Sequence, residues 1–177
     1  RKAFGGYPQY DENGGVAPAA PATPAAAVLA GWTLTPVTAS GQADEPPARD
    51  FWYYVAFSTD ACGNVSAVSN RTNGTLDYHL GDVANGVTAC AGENAVTTAD
   101  LTLLGANYHT SPPLNGSLEC LDVGPTSDYS VNARPTTDNY LDFEDLILYS
   151  INFGQVSAPQ LAHAPAGEEG GGASAVW

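Results

Sequence analysis

The chain has 177 residues, with 19 acidic and only 5 basic side chains, so its formal net charge is −14 at pH 7. This charge opposes binding to nucleic acid or to an anionic membrane surface, because both reward clustered lysine and arginine. No run of about 18 apolar residues is present to span a bilayer, so we expect no membrane insertion. Cations are the expected partners of so many carboxylates.

Cysteine usage indicates an oxidising compartment. The chain has three cysteines, Cys62, Cys90 and Cys120, and no methionine. This composition is typical of an exported protein, so we predict an extracellular or cell-surface location reached by bacterial-type secretion. An odd number of cysteines leaves one sulfur without a mate inside the chain.

The first 31 residues are rich in aromatic residues and glycine, and they pass into a proline- and alanine-rich stretch at 16–28. Repeated prolines disfavour a regular helix or a central strand. We therefore predict a linker or a long surface loop for residues 1–31.

A β-rich segment follows. The run Phe-Trp-Tyr-Tyr-Val-Ala-Phe at 51–57 has aromatic and β-branched residues on both faces, which predicts two or three antiparallel strands. Residues 54–69 resemble the last two strands of a fibronectin type III domain, and the likeness extends over residues 30–72. It implies a partial immunoglobulin-like or fibronectin III-like β-sandwich within a domain at 1–76. A whole domain of this kind needs about 100 residues and seven strands, so some strands are missing or come from another chain.

The strongest signal is an internal repeat. Gly81-Asp82-Val83 aligns with Leu121-Asp122-Val123, and the nine residues from Asp100 align with the nine from Asp145. Apolar residues then recur at i, i+3 and i+7, as one face of a helix requires. These residues are Leu101, Leu104 and Tyr108 in the first copy and Leu146, Tyr149 and Phe153 in the second. We predict two short helices that pack their apolar faces together.

An oxygen-rich loop precedes each predicted helix. With the last aspartate counted as position 12, positions 1, 5, 7, 9 and 12 carry groups that ligate calcium in helix-entering loops, position 7 through its backbone carbonyl. The predicted ligands are Asp82, Glu93, Ala95, Thr97 and Asp100 in the first loop and Asp122, Asp138, Tyr140, Asp142 and Asp145 in the second. Position 6, usually glycine, is Asn94 or Asn139, and asparagine tolerates the left-handed conformation required there.

This pattern, Gly-Asp-Val followed by Val-Thr-Thr-Ala-Asp-Leu-Thr-Leu-Leu, is similar to a dockerin repeat. The resemblance covers residues 79–154 and implies a calcium-binding domain at 77–154 with two Ca²⁺ ions. The loops span 19 and 24 residues instead of 12, so they carry insertions of 7 and 12 residues. The position-3 ligand stays unassigned among Asn85, Thr126, Asp128, a carbonyl and water.

Three further expectations follow from the loops. Cys90 lies in the first insertion and Cys120 shortly before Asp122, so we predict a disulfide between them, with two free buried thiols as the alternative. Val96 and Leu141, both at position 8, are predicted to link the paired loops. In a competing interpretation, the aspartates only cap the two helices.

No catalytic site is predicted. His79, His109 and His163 are far apart, and no nucleophile elbow, phosphate loop or Cys-x-x-Cys is present. Asp142, Glu144 and Asp145 could be interpreted as a glycosidase acid pair, but these aspartates are already assigned to a loop. We predict that the chain is not an enzyme.

The sequence therefore predicts an α+β chain that acts as an extracellular, calcium-binding structural protein. Its expected partners are copies of itself, through strand exchange into a filament. Two alternatives are a dockerin-type module that anchors a secreted enzyme or adhesin to a cohesin-like protein, and the non-catalytic C-terminal part of a secreted hydrolase. Residues 155–177 are predicted to be an extension or linker.

Overall fold

The computed structural model describes residues 1–111 and 118–155, and it confirms a mixed α+β chain. In chain order the elements are β1 (Lys2–Ala3), α1 (Tyr10–Asn13), α2 (Pro24–Leu29), β2 (Phe51–Tyr53), β3 (Thr75–Leu76), α3 (Thr98–Asn107), a 3₁₀ turn (Glu119–Leu121) and α4 (Phe143–Asn152). Nearly all of the predicted extension at 155–177 lies outside the described residues. Within the described part, no helix is long and apolar enough to cross a membrane.

The strands form one small antiparallel sheet in the order β1-β2-β3. Trp52 of the central strand pairs with Ala3 on one side and with Thr75 on the other. All three residues of β2 are buried, as the aromatic residues on both faces of this run predicted. Among the residues that the structure describes, these strands make a single layer, and the second sheet of the predicted sandwich is not formed.

Residues 54–72 explain this difference, because they bond to each other as an irregular hairpin. Along one arm, backbone carbonyls accept N–H groups from the other arm, at 2.9 to 3.0 Å. The N–H groups of the same residues donate to serine or threonine hydroxyls instead of to carbonyls. The pairs are Tyr54 with Thr72, Ala56 with Ser69, and Ser58 with Ser66. Cys62 is free and exposed near the tip of this hairpin.

Of the linker or long surface loop predicted for residues 1–31, only residues 14–23 form a mostly exposed loop, and the residues before them pack into the fold. Gln9 and Tyr10 are buried, and β1 is part of the sheet. The Pro/Ala-rich stretch also ends in a helix, α2. Thr23 caps this helix by accepting the N–H of Ala26 at 3.1 Å, and Pro24 stands at a first-turn position where a missing N–H costs nothing.

Two apolar clusters make up the core. The smaller one contains Tyr10, Trp32, Phe51 and Tyr53. The larger one contains Leu80, Val83, Val96, Leu104, Cys120, Leu121, Val123, Leu141, Leu148 and Tyr149. Leu76 packs against both, so β3 connects the sheet to the repeated part of the chain.

The two predicted helices exist, and α3 packs against α4. Leu104 and Tyr149 are buried in this contact region as expected. Phe153 is 46% exposed, and Leu148 is buried instead, so that part of the predicted stripe is wrong. The reason is that α4 ends at Asn152, which places Phe153 outside the helix, where it pairs with Val96.

The two halves of the repeat interlock through position 8 of each loop. Val96 bonds to the segment after α4: its carbonyl accepts the N–H of Gly154 at 2.8 Å. Leu141 bonds to the segment after α3: its N–H donates to the carbonyl of Thr110 at 2.9 Å. Each loop is therefore linked to the end of the other half's helix. Val96 and Leu141 also belong to the same buried apolar cluster, so position 8 of both loops packs into the core that the two halves share.

The predicted disulfide between Cys90 and Cys120 is confirmed. It joins the first insertion to the 3₁₀ turn that leads into the second loop, across a sequence separation of 30 residues. A cross-link over this distance stabilises the fold chiefly by restricting the unfolded chain. It also fixes the two halves of the repeat to each other.

Candidate metal centre

The first aspartate of each loop is buried in the same setting. Asp82 and Asp122 are 0% and 1% exposed. Asp82 accepts the N–H of Asn94 at 3.0 Å, and Asp122 accepts the N–H of Asn139 at 2.6 Å. Both asparagines adopt the predicted left-handed conformation, with φ of 66° and 64°. This turn directs the N–H of each asparagine toward the buried carboxylate.

The last aspartate of each loop is also buried and ties the loop to its helix. Asp100 Oδ1 accepts the N–H groups of Val83 and Ala84, at 2.7 and 2.8 Å. In the second half, Asp145 Oδ1 accepts the corresponding N–H groups of Val123 and Gly124 at 2.8 and 3.0 Å. The sequence repeat thus coincides with a repeated set of hydrogen bonds.

The same two aspartates complete capping boxes at the helix starts. Thr97 and Asp142 are the N-caps of α3 and α4, and their N–H groups donate to the second oxygen of Asp100 and Asp145. The competing interpretation of helix capping therefore accounts for these two residues. It does not account for Asp122, which lies outside both helices.

The two halves differ in how completely the last aspartate is satisfied. A carboxylate offers about four lone-pair positions. Asp100 accepts four bonds, because the hydroxyl of Thr97 adds to three backbone N–H groups, at 3.0 Å. Asp145 accepts three, since the position of Thr97 is taken by Asp142, which has no proton to donate. One acceptor position on Asp145 therefore stays open.

The halves also differ in charge around the first aspartate. Arg49 forms an ion pair with Asp82 and a hydrogen bond to its backbone carbonyl. Within residues 1–111 and 118–155, Asp122 has no such cation, and its buried Oδ1 has no hydrogen-bond partner. The pKa of Asp122 is raised to about 8, chiefly by burial and also by the nearby carboxylates of Asp145, Asp138 and Glu12, against the opposing effect of the N–H of Asn139.

Other carboxylates of the second half show the same excess of negative charge. Burial raises the pKa of Asp145 to about 6, even though three N–H groups lower it. The pKa of Glu144 is also raised, by burial first and then by Asp138 and Asp142. These shifts have the direction expected for carboxylates that are partly or fully buried and that have other carboxylates nearby.

The remaining predicted ligands lie nearer the surface. Glu93 and Asp138 are exposed, and Ala95 and Tyr140 are half-buried. Asp138 accepts the N–H of Tyr140 at 2.8 Å. In the part of the chain that the structure describes, no three or more His, Cys, Asp or Glu side chains already converge to hold a metal ion. Ion binding would therefore need rotation of surface side chains such as Asp138.

None of the position-3 candidates is directed at a site. The side chain of Asn85 accepts N–H groups of Val87 and Thr88 within its own turn. Thr126 donates to the carbonyl of Ser130, and Asp128 accepts the N–H of the same residue. All three stabilise the insertions, so this ligand position is not supplied by these side chains.

Sequence reasoning missed the residues that the N-terminal part contributes. Glu12 accepts a bond from the side chain of Asn139 at 2.6 Å and one from Thr137 at 2.8 Å. Gln9 donates to Asn139 at 3.0 Å, and Arg49 reaches the first loop. For Arg49 the available signal was the scarcity of basic residues, since the chain has only five of them against 19 acidic residues. Nothing in the sequence pattern indicates Gln9 or Glu12.

No protein-family model matches the chain, and comparisons with curated proteins and with solved structures find no similar protein. The likeness to dockerins and to fibronectin type III domains therefore rests on the residues quoted above. The proposed function therefore depends on the chemistry of the two loops alone.

Proposed function

We propose that the chain is a non-catalytic, calcium-binding structural module of an extracellular protein, with the ion held in the second half of the repeat. The observation that carries this proposal is the buried Oδ1 of Asp122, which finds no hydrogen-bond partner in the described part of the chain. A buried carboxylate oxygen without a donor is costly, and a cation removes that cost. The disulfide is consistent with an oxidising compartment.

The residues of the second half fit a calcium ion by their chemistry. Calcium takes six to eight hard oxygens, usually several carboxylates together with a carbonyl. The carboxylates of Asp122, Asp138 and Asp142, the backbone carbonyl of Tyr140 and the open acceptor position of Asp145 would hold it. The bound ion would compensate the charges that raise the pKa of Asp122. We expect its role to be structural, because it would tie the loop to the first turn of α4.

Calorimetric titration of the chelator-treated chain with calcium tests this proposal. We expect saturable binding, and we expect Asp122→Asn to weaken it by at least about a hundredfold, because a charged ligand is lost. Asp128→Asn is the matched control, since Asp128 is exposed and bonds only within its own turn, and it should bind as the wild type does. Equal affinity in both variants, or no binding at millimolar calcium, would refute the site.

Assembly with a partner is the second part of the proposal, and an exposed face of α4 supports it. Phe143, Ile147 and Ile151 are 66%, 41% and 53% exposed. Their i, i+4, i+8 spacing places them in one stripe on the helix surface. Exposed apolar stripes of this kind mark surfaces for protein contacts. Copies of the same chain are the partner that we propose, and a cohesin-like protein is the alternative occupant.

Sedimentation velocity over a range of concentrations separates these partners. If α4 mediates self-assembly, the wild type should associate as concentration rises, and Ile147→Asp should stay monomeric because a charge enters the stripe. Thr102→Asp, on the exposed face of α3, serves as the control for added charge. A wild type that is monomeric throughout would contradict self-assembly and leave the heterologous partner.

A further inference from the structure

Asp82 and Asp122 have similar surroundings, but they differ in the groups that compensate their charge. Both are buried, and both accept an N–H from the left-handed asparagine of their loop. The remaining acceptor capacity of Asp82 is used by the N–H of Glu93, which donates to Oδ1 at 2.8 Å, and by Arg49, which donates to Oδ2. Among the described residues, Oδ1 of Asp122 meets neither an N–H donor nor a cation. The guanidinium of Arg49 is therefore the counter-charge of Asp82 in the first half. In the second half, Asp122 has no corresponding cation within the described ranges.

Arg49 is held firmly in this role. Its Nη1 donates to the carbonyl of Asp82 and its Nη2 to the carboxylate of the same residue. The guanidinium also lies over the ring of Tyr78, with 5.2 Å to the centroid. Gly92 packs directly against this ion pair, because a Cβ at this position would overlap both the guanidinium and the Asp82 carboxylate. A planar, permanently charged fork suits this kind of two-point contact.

The rest of the first half leaves little for an ion to bind. All four acceptor positions of Asp100 are filled, and Thr97 at position 9 contributes a hydroxyl where the second half has the carboxylate of Asp142. Glu93 is the other acidic side chain of this loop, and it is exposed. The first half thus has fewer carboxylates and its own cation, so it does not fit the second of the two ions implied by the dockerin resemblance.

We infer that the guanidinium of Arg49 is the built-in cation of the first half, so that the chain takes one calcium ion, in the second half, and not two. The number of ions rests on the proposed calcium function, but the role of Arg49 does not. Arg49 comes from outside the repeat, two residues before the start of β2. The first loop is therefore stabilised by an arginine from the segment that leads into the sheet, and the second loop is stabilised by a bound ion.

Counting ions tests the first part. Native mass spectrometry of the full chain in micromolar calcium should show one ion on the wild type and none on Asp122→Asn. Two ions on the wild type would overturn the inference. Zero ions on the wild type would refute the proposed calcium function, and the role of Arg49 would then be decided by the second arm.

Thermal unfolding in excess chelator is the second arm, because no ion is then available to either half. We expect Arg49→Gln to lower the melting temperature by roughly 10 °C, since it leaves the Asp82 carboxylate buried without its counter-charge. Arg71→Gln is the matched control: Arg71 lies over Tyr53 at 4.8 Å and donates to the carbonyl of Pro18 at 2.7 Å, without a carboxylate partner in either contact. Equal shifts in the two variants would show that Arg49 acts only by packing and would overturn its assignment as a cation.

Discussion

Asp100→Asn should lose about 3 kcal/mol of unfolding free energy, which is the largest effect that we expect from an isosteric substitution in this chain. Asp100 is fully buried and accepts three backbone N–H groups and one hydroxyl. An asparagine amide has only one oxygen, so its NH₂ group would replace one acceptor oxygen and would face the N–H or O–H donors that this oxygen binds. Those donors would then be left without an acceptor. Chemical denaturation followed by circular dichroism measures the loss.

The calcium dependence of that loss separates capping from ligation. Because the acceptor positions of Asp100 are filled by the protein, we expect the same loss in calcium and in chelator. The control, Asp128→Asn, changes an exposed carboxylate and should leave the unfolding transition unchanged. A loss for Asp100→Asn that appears only in calcium would show that this residue is a ligand and that the first half binds an ion.

Removal of calcium should have the second large effect. An ion bound with a dissociation constant of about 1–10 μM stabilises the fold by about 3–4 kcal/mol at 1 mM free calcium, because it binds the folded state alone. The chelated protein must keep Oδ1 of Asp122 buried without a donor among the described residues, which is the source of the difference. Urea denaturation with and without chelator measures it. The Asp122→Asn variant should show no response to calcium, and a wild type that is equally stable in both conditions would contradict the proposal.

The parts of the fold that could be predicted from the sequence depend on local spacing. Asn94 and Asn139 lie in the left-handed region because a tight turn at position 6 demands it. The starts of α3 and α4 follow from a capping residue with an aspartate three positions later. The Cys90–Cys120 disulfide follows from the positions of the two cysteines relative to the loops. In each case a few neighbouring residues carry the information.

The parts that could not be predicted depend on contacts between distant segments. Glu12 reaches Asn139 across 127 residues, and Arg49 reaches Asp82 across 33. No periodicity or motif in one segment indicates such a pair. The hairpin at 54–72 differs from a pair of regular strands for a related reason. Its alternation is that of a strand, but serine and threonine hydroxyls accept the N–H groups that carbonyls of the opposite arm would accept in a regular ladder.

The difference between local spacing and long-range contacts also explains why the sequence did not indicate that the two halves of the repeat differ in ion binding. Their acidic positions align in the sequence, which predicts two equal ion sites. The asymmetry arises from Thr97 against Asp142 at position 9 and from Arg49, which lies outside the repeat. Only the first of these is visible in the repeat itself, and its consequence depends on the hydrogen bonds of Asp100.

Hydrogen exchange with and without calcium tests the central claim most directly, because it reports each half of the same molecule. We expect calcium to slow exchange at residues 118–155 and at the segment around Glu12 that contacts the second loop. The amides of Val83 and Ala84, bonded to Asp100, should exchange at nearly the same rate in both conditions. Equal protection of both halves by calcium would contradict the one-ion account, and no change anywhere would contradict calcium binding altogether.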